Sequence, residues 1–162
     1  MILSARVIGA LILLCASLFV GRAYEKHLDG RLGEAREVLR LLLHIREKIS
    51  SFLCPQGELM SDFKSEILES VGFIGKIRDG KGLYDAFRDT NFSFSEDIIE
   101  ILRSYFSEFG KRYKSDELAR LDSAVRSLEG YVKSEEEKLP KDVKIAKILL
   151  FAAALGISIL MI

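Results

Sequence analysis

At 162 residues, with 30% charged and 49% hydrophobic side chains, the chain is long enough for one compact domain and ordinary in composition for a folded protein. Its 24 basic and 24 acidic residues cancel, which argues against a nucleic-acid partner, because phosphate binding draws on a concentrated basic face. The two cysteines, Cys15 in an apolar stretch and Cys54 beside Pro55, offer neither a metal-ligand spacing nor a disulfide framework.

The averages conceal a segregation. All 24 acidic residues fall between Glu25 and Asp142, and the two ends are almost purely apolar. Residues 7–20 carry no charge and, extended back through 2–5, reach the ~20 residues that a bilayer core requires. Residues 1–22 are therefore expected to form a transmembrane segment, with Arg6 snorkelling to the nearer interface. A cleaved signal peptide is the alternative reading, and residues 20–23 make a poor small-residue cleavage site for it. At the other end, residues 148–162 are uncharged, but at ~1.5 Å per residue they reach only about 22 Å of a ~30 Å core. Extension back to Val143, with Lys144 and Lys147 snorkelling, completes a marginal span, so residues 141–162 are expected as a second membrane segment.

Arg22 and Lys26 flank the first span, and Lys138, Lys141, Lys144 and Lys147 flank the second. The excess of positive charge beside short membrane segments places residues 23–140 in the cytoplasm. On this reading Arg6, Arg22, Lys141, Lys144 and Lys147 anchor the chain at the interface with membrane lipid as partner, and a basic amphipathic helix over residues 141–147 binding anionic lipid fits the same topology.

In the middle region, Leu28, Leu32, Ala35, Leu39, Leu42, Ile45, Ile49 and Phe52 recur every three or four positions, which predicts an amphipathic helix stopping before Pro55. Glu34, Arg36, Glu37, Arg40, Glu47 and Lys48 form its solvated face. His44 and His27 are isolated and read as structural rather than as ligands. A second helix is expected over residues 57–71, from Leu59, Phe63, Ile67 and Val71, ending at the Gly72 and Gly75 punctuation. Residues 78–82 form a turn into a short helix carrying Leu83, Tyr84 and Phe87. Their two glycines lack the strand and the Gly-Lys-Ser/Thr of a phosphate loop.

Ser93 and Glu96 have the spacing of a capping box, opening a helix whose core face is Ile98, Ile101, Leu102, Tyr105, Phe106 and Phe109 and which Gly110 ends. The last helix of the domain starts near Ser115, carries Leu118, Leu121, Val125, Leu128 and Val132 in register, and reaches Lys138. Pro140 marks a kink or break before the membrane segment. Without any alternating strand pattern, the sequence describes an all-α helical bundle between an N-terminal and a C-terminal transmembrane helix.

No nucleophile elbow, His-Glu-x-x-His, Cys-x-x-Cys or nucleotide fingerprint occurs. The run Glu135-Glu136-Glu137 cannot converge on one ion, because neighbouring positions on a helix point in different directions. No catalytic residue, cofactor or metal site is expected, and function falls to surfaces and membrane placement.

The order of elements resembles the stage III sporulation protein AB family and, beyond it, the cytoplasmic domains of type II secretion inner-membrane platform proteins. The resemblance is carried by Leu39, Leu42, Ile45, Arg46 and Ile49, with Lys48 departing from an acidic residue in the family. It continues in residues 82–87, where Gly82 leads to an acidic residue, Ala86 and the aromatic Phe87. It is completed by Phe109-Gly110, Ser115-Asp116 and the Glu- and Leu-rich stretch that follows. Gly82, Phe87, Gly110 and Asp116 are the family-like structural positions.

The resemblance implies a non-enzymatic platform or assembly component of the secretion-like channel between mother cell and forespore, needed for endospore formation. It also implies a two-pass protein of the forespore outer membrane with its domain on the mother-cell side. Its implied partners are the other sporulation-channel membrane subunits and the cytoplasmic ATPase of the complex. A membrane-anchored helical adaptor or signalling module unrelated to sporulation is the alternative.

Overall fold

The computed structural model describes the backbone of residues 2–51, 59, 60 and 62–161, and their side chains apart from residues 2–8, 10, 11, 14, 160 and 161. Among the described residues the regular elements are all helices: α1 (Ile2–Ser51), α2 (Glu66–Ser70), α3 (Phe73–Arg78), α4 (Leu83–Arg88), α5 (Glu96–Ser107) and α6 (Lys114–Met161). They belong to two compact units, Arg31–Ser134 on the one hand and Met1–Gly30 with Glu135–Ile162 on the other. The expected turn at Cys54 and Pro55, Phe52, and the start of the helix expected over residues 57–71 lie outside the described residues.

The unit Arg31–Ser134 is built around the apolar stripe of α1. Leu32, Ala35, Val38, Leu41, Leu42 and Ile45 are buried, the i, i+3, i+4 recurrence of a helix with one face on a core. Val38 and Leu41 fill positions that the sequence reading passed over, whereas Leu39 and Ile49 are only half-buried. Arg46 reaches Asp122 on α6 at 2.8 Å, and Lys114 at the start of α6 donates to the carbonyl of Ser50 at 2.8 Å.

The helix expected over residues 57–71 is confined, among the described residues, to α2. Ser65 decides where it starts: its backbone is extended, and its hydroxyl accepts the Leu68 N–H at 3.1 Å, which caps a new helix rather than continuing an old one. Leu59 and Phe63 are buried as expected, but from irregular backbone ahead of that cap. Ile67 fits against α1 because Gly33 has no side chain; a Cβ there would lie 3.3 Å from Ile67 Cδ1.

Gly72 takes φ 81°, a left-handed conformation that costs glycine little, and so ends α2 and starts α3 at once. Gly75 lies inside α3, so of the two glycines only Gly72 punctuates. Gly80 (φ 90°) makes the turn into α4, whose N-cap is Gly82.

The expected capping box is not formed. Ser95 is the N-cap residue of α5, and Ser93 turns away to Glu34 of α1. The register of α5 shifts with it. Ile99, Leu102, Tyr105 and Phe106 are buried, while Ile101, expected in the core, is 41% exposed. Gly110 does close this segment, at φ 76°.

α6 runs without interruption from Lys114 through Pro140 to Met161, so the proline does not break the helix. Proline removes one backbone donor and crowds the preceding turn, and the helix on either side is long enough to continue past one missing bond. Leu121, Ala124, Val125, Leu128 and Val132 form its buried face within the Arg31–Ser134 unit, and Leu118 is half-buried.

In the other unit, the first part of α1 and the last part of α6 lie antiparallel. Lys147 Nζ bonds the Glu25 carboxylate at 2.6 Å, and Lys147 Cγ comes so near Gly21 that a Cβ there would sit 3.2 Å away. Val143, Ala154 and Ser158 are buried against this pairing, the Ser158 hydroxyl returning to the Ala154 carbonyl at 2.8 Å. Among the described residues no helix is long and apolar enough to cross a membrane.

Candidate functional site

The centre of the Arg31–Ser134 unit is aromatic. Phe87 of α4 is 2% exposed and touches three rings: Phe92 stacked at 4.8 Å, Phe106 at 5.0 Å and Phe73 edge-on at 6.4 Å. Phe92 in turn meets Phe94 at 5.2 Å, and Phe94 meets Tyr131 of α6 at 6.4 Å. Phe87, singled out by resemblance, thus joins α3, α4, α5 and the irregular segment before α5. Such contacts carry stability through buried area and ring geometry.

A polar girdle holds the rim of this core. Lys76 donates to the Asp89 carbonyl at 2.6 Å and to the Thr90 hydroxyl at 2.9 Å, and that hydroxyl donates to the Ala86 carbonyl at 2.7 Å. Lys81 bonds Asp89 at 2.8 Å and Arg88 bonds it at 3.1 Å, and these two cations, Lys81 first, hold the Asp89 carboxyl below its usual range.

At the other end of α5, Glu108 accepts from Arg112 at 2.7 Å and from Arg120 of α6, which depresses its carboxyl in the same way. His44 contributes structure: its Nε2 lies 3.1 Å from the Leu59 carbonyl, and its ring lies 5.4 Å from Phe63.

The turn between α5 and α6 depends on a residue that the sequence reading overlooked. Asp116, the family-like position, is exposed in the first turn of α6, where a negative charge favours the helix N-terminus. Its neighbour Glu117 is only 4% exposed, and its Oε2 accepts the Gly110 N–H at 3.3 Å. Glu117 Oε1 and the Tyr105 hydroxyl are buried, and the two groups lie close enough to interact. Burial first, and the Glu117 carboxylate second, push the Tyr105 phenol well above its ordinary range.

Beside this pair a groove of about 560 Å³ opens between α5 and α6, with Asp97, Glu100, Ile101, Tyr105, Arg120 and Ala124 among its walls. Arg120 is engaged by Glu108, and among the described residues Asp97 and Glu100 make no ion pair at this groove, beside the exposed Ile101. Its lining mixes these acidic side chains with the apolar Ile101 and Ala124.

The interface residues expected at the two apolar ends all fall in the other unit, and the side chain of Arg6 lies outside the described residues. Arg22, Lys141, Lys144 and Lys147 are all exposed. The structure brings Arg22 and Lys147 to one cavity of about 280 Å³, together with Ser17, Leu18 and Phe151. Glu25, which the sequence reading treated as ordinary surface charge, holds Lys147 there. Only the antiparallel pairing of residues 122 positions apart could have marked it.

Among the described residues no group of three His, Cys, Asp or Glu side chains is placed to hold a metal ion. Cys15 is exposed and unpaired, and Cys54 lies outside the described residues. No curated protein and no solved structure matches the chain. The family model for stage III sporulation protein AB matches residues 6–162, taking in both apolar ends, the Phe87 cluster and the Gly110 turn. The chain therefore belongs to the stage III sporulation protein AB family.

Proposed function

We propose that this sporulation protein is a non-enzymatic membrane platform of the secretion-like channel between mother cell and forespore, with both apolar ends in the forespore outer membrane. Family membership carries the role in sporulation, and the family is one of structural sporulation proteins rather than of enzymes. The platform role goes further. In it, the bundle of Arg31–Ser134 faces the mother-cell cytoplasm and contacts the complex's ATPase, while the ends pack against other channel subunits.

The observation that carries this reading is the apolar surface of the unit formed by the two ends. Ile12, Leu18, Phe19 and Val20 on α1, and Ile148, Leu149, Phe151, Ile157 and Ile159 on α6, are all exposed large hydrophobics, from 45% to 79%. Water is a poor cover for so much contiguous apolar surface, and lipid or a membrane subunit is the fitting one. The spans drawn at residues 1–22 and 141–162 rest on their sequence. They include the residues at both ends of the chain whose side chains are not described.

The test is topology in sporulating cells. Lys64 is exposed, so Lys64→Cys, with Cys15 and Cys54 replaced, gives one reporter thiol in the bundle. Protection from a membrane-impermeant maleimide until the cells are opened is the expected result, followed by loss of ATPase recruitment when Asp97 and Glu100 are both changed to Lys. Labelling in intact cells would overturn the cytoplasmic placement and the ATPase contact together.

A further inference from the structure

Leu18 and Arg22 are four residues apart on α1, and Lys147 and Phe151 are four apart on α6, so each helix offers one cation and one apolar side chain from neighbouring turns of one face. Because the helices run antiparallel, the two cations meet at one level and the two apolar side chains at the next, towards the chain ends. The result is a notch of about 280 Å³ lined by the two cations Arg22 and Lys147, the apolar Leu18 and Phe151, and Ser17.

Among the described residues Arg22 makes no ion pair, and Lys147 is shared with Glu25 at 2.6 Å. Leu18 and Phe151 are 61% and 45% exposed. A guanidinium left unpaired beside an ammonium, directly above bare hydrocarbon, matches a ligand with an anionic phosphate joined to an acyl chain.

We propose that this notch binds one anionic phospholipid, with its phosphate between Arg22 and Lys147 and an acyl chain along Leu18 and Phe151. Arginine supplies the planar donor fork that suits phosphate oxygens, and Lys147 supplies a point charge. Glu25 competes with the phosphate for Lys147, so the site is tuned by a carboxylate of its own. The inference rests on the membrane reading above and deepens it, naming the lipid that the collar selects and the residues that select it.

The experiment uses the full chain reconstituted in nanodiscs of mixed phosphatidylglycerol and phosphatidylcholine, with the lipids that remain bound after gentle detergent extraction counted by native mass spectrometry. Retention of a single phosphatidylglycerol is expected, falling about fivefold in Arg22→Gln, the effect of about one basic residue at a membrane surface. Glu25→Gln frees Lys147 and is expected to raise retention, a gain that a misfolded variant cannot imitate. Lys144→Gln removes a charge of the same collar outside the notch and should leave retention unchanged.

Equal retention of the two lipids, an unchanged or lower yield in Glu25→Gln, or an equal loss in Lys144→Gln would each overturn the site in favour of diffuse surface charge. Displacement by millimolar inorganic phosphate would overturn it in favour of a phosphate-only contact. A chain that never enters the nanodisc would sink the membrane reading and the lipid site together. Insertion without lipid preference sinks only the latter.

Discussion

Glu34 on α1 accepts both the backbone N–H and the hydroxyl of Ser93, at 2.6 and 3.1 Å, across 59 residues of sequence. This pair of hydrogen bonds anchors the irregular residues between α4 and α5, from which Phe92 and Phe94 enter the aromatic core. Glu34→Ala removes both bonds and is expected to cost about 1–2 kcal/mol, whereas Ser93→Ala keeps the backbone bond and is expected to cost about half as much. Urea unfolding of the detergent-solubilised chain measures both, and equal costs would show that the backbone bond contributes nothing.

Phe87 is nearly inaccessible and holds three neighbouring rings. Its truncation in Phe87→Ala should cost about 3–5 kcal/mol, because the core cannot close over the cavity, while Phe87→Leu should lose less than about half of that. The same unfolding measurement decides it, and a loss under about 1 kcal/mol for the alanine variant would contradict a closed core.

The α5–α6 turn offers a direct comparison of adjacent acids. Glu117 is buried on the Gly110 N–H and Asp116 is exposed. Glu117→Ala should therefore cost about 1–2 kcal/mol, and Asp116→Ala no more than about 0.5 kcal/mol. Gly110→Ala should cost about 1–2 kcal/mol through its positive φ alone. The reverse order for the two acids would return the structural role to the family-like position.

Alkali should weaken the bundle through Tyr105. Its phenol is raised in the folded chain, so the stability it contributes is complete below the ordinary tyrosine range and is lost as the pH climbs above about 10. Tyr105→Phe should unfold less readily at high pH, since it has no phenol to ionise. On the acid side, Asp89 and Glu108 are lowered, so their contribution holds above the ordinary carboxylate range and fades as the pH falls through their depressed values. Denaturation midpoints across pH give both limbs, and a midpoint flat above pH ~10 would remove Tyr105 from the account.

Much of this protein was determined by its sequence alone, because the relevant signals are local. The apolar recurrence of α1, the turns at Gly72, Gly80 and Gly110, the short helix at Leu83 and the segregation of charge from the two ends all follow from spacing and residue type. What only the tertiary structure decided are competitions between a local partner and a distant one. Ser93 has the spacing of a capping box with Glu96, but a carboxylate 59 residues away takes both its donors and moves the cap to Ser95. Asp116 and Glu117 are equivalent as letters, and burial alone separates their roles. Pro140 reads as a kink or a break, and the helix continues through it without a break. Arg22 and Lys147 line one cavity, and Glu25 bonds Lys147, only when two helices from opposite ends of the chain lie antiparallel, because periodicity specifies which face of a helix is apolar but not which face of another helix it meets.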